Sequence, residues 1–146
     1  MKCRLVAAGT RLPGWVGAGF EDYRKRLVRP LSLELHEIPV STPQKEGARM
    51  LEAIGRDDHV VALEVRGRAM DTPALAVWLA QRLGSGRGLS LLIGGPDGLS
   101  PACLERADTT WSLSPLTLPH AMVRVIVAEQ LYRAISIQAG HPYHRA

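Results

Sequence analysis

Apolar runs and amphipathic stretches alternate along this chain of 146 residues. Cys3 to Ala8 is a continuous apolar run, read as a first strand, and Val16 to Leu27 sets Phe20, Tyr23 and Leu27 on one face against Glu21, Asp22, Arg24 and Lys25 on the other, a helix period. Leu31 to Ile38 alternates Leu33 and Leu35 with Glu34 and His36, a strand period. Thr42-Pro43 predicts a capped helix to about Ile54, because proline at the first helical position fixes φ and forfeits only an unpaired N–H. Val60 to Val65 is a third strand. Thr72-Pro73 repeats the cap and leads a helix to Leu83 with Leu75, Leu79 and Leu83 buried and Trp78 beside them. Leu89 to Ile93, a helix from Ser100-Pro101 to Ala107, a strand from Thr109 to Leu113 and a long helix from Met122 to Ala139 complete the series. The segment 140–146 follows as a tail.

Strands alternating with helices over short connections, and reading as apolar on both faces, predict an α/β fold with a mostly parallel sheet covered on both sides. The length suits a single domain, 1–146, with its own core, 46% of the residues being hydrophobic. Ligands of such sheets lie at the carboxyl ends of strands. Three segments fall there: Leu63 to Gly67, Ile93 to Gly98, and Ser112 to Pro119.

The second of these carries the most chemistry. Leu91-Leu92-Ile93-Gly94-Gly95-Pro96-Asp97-Gly98-Leu99-Ser100-Pro101 ends a strand on glycines that let backbone amides approach a ligand, then opens a helix. Gly, Pro and Asp also make ordinary turns, and the glycines fail the G-x-G-x-x-G dinucleotide fingerprint. In the third segment, Ser114-Pro115-Leu116-Thr117-Leu118-Pro119 sets aliphatic side chains between two prolines. This stiff loop suits a flat heterocycle such as adenine better than a phosphate, or else it is a plain connection into the last helix.

Charge and cysteine content change the picture little. The formal charge is +4, and arginine supplies every basic residue except Lys2, Lys25 and Lys45. An anionic partner such as nucleic acid fits, as does simple solubility. Cys3 and Cys103 lie outside any C-x-x-C spacing and read as small apolar residues of a reducing compartment. No apolar run is long enough for a signal core or a membrane span, so a cytoplasmic location is expected, with no membrane association.

The last helix carries more apolar positions than one face against a sheet needs, which predicts a subunit interface or burial on two sides within the chain. Glu129 and Arg133 form a favourable helix pair with no chemistry assigned. The tail, Gly140-His141-Pro142-Tyr143-His144-Arg145-Ala146, gathers imidazoles, a phenol and a guanidinium that can stack on a base, bind phosphate or move a proton near neutral pH. It can equally dock on its own domain. Without Cys or acidic ligands close by, it argues against a metal.

The glycine segment at 91–101, the run Ser112 to His120, Val123-Arg124-Val125 with Ala128 to Ala134, the ending His141-Pro142-Tyr143-His144-Arg145 and the opening Leu5 to Thr10 together closely resemble the ribosomal large-subunit pseudouridine N3-methyltransferases of the SPOUT class, over essentially the whole chain. The resemblance implies a carboxyl-terminal trefoil knot that binds S-adenosylmethionine, a homodimer, and methylation of a pseudouridine N3 in helix 69 of 23S rRNA on the assembled ribosome. It places cofactor contacts on Leu63, Gly95, Ser114, Pro115, Leu116, Thr117, Leu118 and Pro119. Methyl transfer of this kind needs no metal; for the imide nitrogen to react, a base such as His144 and a cation such as Arg145 would help, with Tyr143 completing the site. One departure is the short loop 39–44, which lacks the lysines common in the family and shifts expected RNA contacts to Arg4, Arg11, Arg66, Arg68, Arg124 and the tail. The rivals are a knotted methyltransferase acting on tRNA and a non-catalytic ribosome-binding module.

Overall fold

In the computed structural model, which describes residues 1–145, the strands are β1 (Lys2–Ala8), β2 (Ser32–Ile38), β3 (His59–Ala69), β4 (Leu89–Ile93) and β5 (Thr109–Ser112). Between and after them run α1 (Gly14–Arg26), α2 (Pro43–Ala53), α3 (Thr72–Gly84), α4 (Pro101–Arg106) and α5 (His120–Gln138). All strand pairs are parallel, in the order β2-β1-β4-β3-β5. The apolar runs have the double burial their pattern predicts. Cys3, Leu5 and Ala7 of β1 join Leu91 and Ile93 of β4 under Phe20 of α1, Leu75 and Leu79 of α3, and Val127 and Leu131 of α5. Val6, Ala8 and Leu92 point the other way, against Met50 of α2 and Cys103 of α4. Both cysteines are free and buried, and burial drives the Cys3 thiol far above its ordinary pKa.

Two helix starts show the expected capping chemistry and one differs. The Thr42 hydroxyl accepts from the Lys45 amide at 3.2 Å, and Ser100 accepts from that of Cys103 at 3.2 Å. At α3 the cap is not Thr72 but Asp71, whose carboxylate accepts from the Ala74 amide at 2.9 Å. The stronger acceptor takes the cap, and the Thr72 hydroxyl is left to donate to Gln130 Oε1 on α5 at 2.9 Å.

The third strand also runs past its expected end at Val65. Pairing with β5 breaks between Leu63 and Arg68, then resumes as Arg68 against Trp111 and Ala69 against Ser112. Residues 64–67 form a bulge that bends the strand at the rim of the sheet. The apolar pattern stops at Val65 because Val65, Arg66 and Arg68 are exposed there.

Helix α5 packs beside both α1 and α3 of its own chain, which accounts for much of its broad apolar surface. Val125, Ile126 and Ile135 remain only half-buried. No helix among the described residues is long and apolar enough to cross a membrane.

Candidate active site

The segments expected to converge do so. The bulge of β3, the loop after β4 and the connection from β5 to α5 enclose a cavity of about 390 Å³ at the carboxyl rim of the sheet. That is within the size range of small-ligand pockets. Its walls are Leu63, Val65, Ile93, Leu113, Leu116, Leu118 and Val123, with backbone from Gly94 to Gly98 and polar groups from Glu64, Asp97, Ser114, Thr117 and His120. The Ser112 hydroxyl donates to the Ser114 carbonyl at 3.1 Å and the Ser114 hydroxyl accepts from the Leu116 amide at 3.0 Å, so the connection is braced by its own serines as well as its prolines. Leu116 stands 70% exposed at the mouth. An aliphatic side chain held there by a stiff loop is left largely uncovered by the described residues and has a ligand surface to gain.

Of the residues expected to hold a cofactor, Leu63, Gly95, Ser114, Leu116, Thr117 and Leu118 line the cavity, whereas Pro115 and Pro119 do not. Pro119 instead accepts from the Met122 and Val123 amides at 2.9 and 3.2 Å, starting α5. Glu64 and Asp97 line it from within the expected segments, whereas Trp111 and His120 line it from outside the three segments read as a ligand rim. His120 had a signal, since it follows the loop proline and opens a helix at a strand's carboxyl side.

The glycines also answer to the packing of the turn itself. A side chain at Gly95 would not enter the cavity; its Cβ would meet the Glu46 carboxylate at 3.3 Å and Ala8 Cβ at 3.5 Å. Glu46 is buried on α2 and accepts from the Ser41 amide at 2.8 Å. A Cβ at Gly94 would lie 2.6 Å from the Gly98 backbone. Both glycines let the turn fold tightly on itself and on α2, and the cavity receives their backbone face.

Tyr143 and His144 of the tail are held against their own domain. The Tyr143 hydroxyl donates to Glu129 Oε1 at 3.1 Å and lies 3.3 Å from the Tyr23 hydroxyl. Its ring meets the Tyr132 ring edge-on at 4.7 Å, and the Arg133 guanidinium stacks over it at 4.9 Å. Burial, with the Tyr23 and Glu129 contacts, raises the Tyr143 phenol's pKa well above its ordinary value. Arg133 Nε donates to Glu129 Oε1 at 2.9 Å and its Nη1 to His144 Nδ1 at 3.1 Å. The helix pair left without a role in the sequence is therefore the tail's anchor. Glu129 and Arg133 lie roughly 9 and 15 Å along the helix from Val123, at about 1.5 Å per residue. Within one chain, Tyr143, His144 and Arg145 do not line the cavity.

Two expected RNA contacts are also reassigned. Arg124 is 2% exposed, with Nη1 donating to Glu37 Oε2 at 2.9 Å and Nη2 to the Gly9 carbonyl at 3.3 Å. Arg4 is half-buried and donates to Asp58 Oδ2 at 2.7 Å. Arg11, Arg66 and Arg68 stay exposed. Among the described residues no group of three or more His, Cys, Asp and Glu side chains is placed to hold a metal ion.

This geometry has counterparts in known proteins. Residues 1–144 match the family model described as predicted SPOUT methyltransferase. The ribosomal RNA large subunit methyltransferase H of Alkalilimnicola ehrlichii is 56% identical, with all of both chains covered. The protein of the same name from Hahella chejuensis is 50% identical over 99% of both. The SpoU methyltransferase AviRb from Streptomyces viridochromogenes, solved with the cofactor AdoMet, superposes with a TM-score of 0.50 at 16% identity, covering 94% of this chain and 58% of its own. A parallel sheet with a cavity built by three loops at its carboxyl rim, and a family match over nearly its whole length, together establish that the chain belongs to the SPOUT methyltransferase family.

Proposed function

We propose that this chain transfers the methyl group of S-adenosylmethionine to the N3 of a pseudouridine in helix 69 of 23S rRNA on the assembled ribosome. The cavity between the β3 bulge, the glycine turn and the Ser114–Leu118 loop carries the proposal. Its residues fit an adenosine. Leu63, Leu116 and Leu118 offer apolar walls to a flat ring, and the loop backbone offers N–H and C=O groups to its edge. Gly95 contributes backbone alone. The full-length similarity to proteins named ribosomal RNA large subunit methyltransferase H supports the RNA class of the substrate.

The bound cofactor would supply an already activated methyl group, so the protein's share is to position the acceptor and manage its proton. Tyr143, His144 and Arg145 present a ring, an imidazole and a guanidinium suited to a base and its phosphates. Because the tail rests on the far part of its own α5, it reaches a cavity as part of a second copy, and the working unit is a homodimer joined in part through the half-buried apolar positions of α5. We also propose that the carboxyl-terminal part of the chain forms the trefoil knot that the family implies.

Calorimetric titration with S-adenosylmethionine tests the cavity, and transfer of tritiated methyl to ribosomes lacking the modification tests the substrate, with free large subunits and tRNA alongside. Label on tRNA alone refutes the substrate. Ribosome binding without any cofactor heat refutes the enzyme in favour of a binding module. A monomer in sedimentation at micromolar concentration refutes the composite site.

A further inference from the structure

We infer that His120 takes the proton from the acceptor nitrogen, a role that rests on the methyl-transfer reading above. An imide N–H must be deprotonated before nitrogen can attack, and only a group with a free lone pair can accept that proton. The tail is poorly equipped for this. Arginine only donates, so the Arg133 Nη1 contact to His144 Nδ1 at 3.1 Å uses that nitrogen's lone pair and leaves the proton on Nε2. The Tyr143 hydroxyl is itself donating to Glu129, and Arg145 has no lone pair to offer. Held this way, the tail supplies donors and cations, which steady an imide anion or a phosphate rather than create the anion.

The cavity contains a better candidate. Its titratable side chains are Glu64, Asp97 and His120. Glu64 accepts from the Arg66 amide at 3.3 Å on the bulge, and Asp97 is exposed at the tip of the glycine turn. His120 is half-buried in the wall, and among the described residues neither ring nitrogen is engaged in a hydrogen bond. Its Nε2 would lie 3.8 Å from a Cβ at Gly9, a residue with φ +122°, and Arg124 Nη2 would lie 3.5 Å from the same point. A glycine at the end of β1 thus leaves room for the imidazole, and Arg124, one helical turn along α5, is a fixed cation beside it. The charges facing His120 are this Arg124, paired with Glu37, and across the cavity Glu64 and Asp97. Imidazole is the side chain whose charge changes near neutral pH, as a base for this step requires.

The step balances. The neutral His120 ring accepts the N3 proton and becomes imidazolium, while the nitrogen's electron pair forms the new N–CH3 bond. The S–CH3 bond breaks with its pair going to sulfur, which leaves as a neutral thioether, and His120 then returns its proton to water.

Three measurements on the full chain test this. Addition of S-adenosylhomocysteine should shift the ring-nitrogen NMR signals of His120, since both occupy one cavity; unmoved signals overturn the assignment. His120→Gln should bind S-adenosylmethionine within about threefold of wild type by calorimetry, while its single-turnover methylation of saturating ribosomes falls at least ~100-fold, the lower range of general-base effects. The acid limb of the rate against pH should vanish in His120→Gln and persist in His144→Gln. A His120→Gln limb like wild type, or a rate loss matched by lost cofactor affinity, overturns the role. Absence of cofactor binding by wild type is a separate result and defeats the methyl-transfer reading itself.

Discussion

Replacing Arg124 with methionine separates a structural arginine from an RNA-binding one. The guanidinium is buried and donates to Glu37 at 2.9 Å and to the Gly9 carbonyl at 3.3 Å, with Nε left unpaired. Hydrogen bonds to charged groups contribute about 1.5–3 kcal/mol net, and a fully buried pair broken on one side costs about 3–5 kcal/mol. Here Glu37 keeps 37% of its side chain exposed and rehydrates when abandoned, so the larger figure does not apply. Methionine also removes a desolvated charge and fills much of the space, which offsets part of the loss. The net expectation is roughly 2 kcal/mol of destabilisation, or a melting temperature lower by about 4–8 °C for a chain of this size. Differential scanning calorimetry measures it, with Glu37→Gln and the double variant closing a cycle whose coupling should be positive. In parallel, ribosome affinity is followed against salt. A phosphate contact would lower the slope of log affinity against log salt by about 1 when removed, whereas a buried brace leaves the slope alone. Unchanged melting together with a reduced slope would refute the burial argument.

Leu116→Glu, at an exposed position, should leave thermal stability within about 0.5 kcal/mol and weaken S-adenosylmethionine binding in calorimetry at least tenfold, because it sets a carboxylate at an apolar mouth; unaltered affinity would remove Leu116 from the site. Truncation before Tyr143 should preserve cofactor affinity and abolish methyl transfer to ribosomes, and full activity would show that the tail is no part of the catalytic unit. Stability should also depend on His59, whose Nδ1 accepts from Arg82 at 3.1 Å and whose Nε2 donates to Thr109 at 2.8 Å. Burial first and then the Arg82 charge lower its pKa, so the unfolded chain binds the proton more readily. Its contribution is complete above the ordinary imidazole pKa of about 6.5 and is lost as pH falls from there towards the lowered native value. The wild-type urea midpoint should therefore drop more steeply below that point than that of His59→Gln, and parallel profiles would contradict the assignment.

The sequence by itself determined the alternation of strands and helices, the parallel sheet with two covered faces, and the three loops at its carboxyl rim. These depend on short-range regularities: apolar runs such as Leu89 to Ile93, and caps such as Thr42-Pro43, are readable within a few residues. Even the bulge after Leu63 left only a local trace, because Val65 to Arg68 looks like a loop when the strand's outer end is exposed. Tertiary structure decided the rest, because each remaining fact depends on a partner distant in the chain. Arg124 reads as a surface cation until Glu37, 87 positions away, closes on it. Gly95 reads as a gap kept for a ligand, yet the direction of its missing Cβ is set by Glu46 on a helix of the opposite face. The tail's rings look free until Tyr23, 120 positions away, meets Tyr143 and Glu129 receives its hydroxyl. A side chain's type limits what it can bond; which bond forms follows from how the sheet and its two helix layers bring separated segments within 3 or 4 Å of each other, at the roughly crystalline packing density of a protein interior.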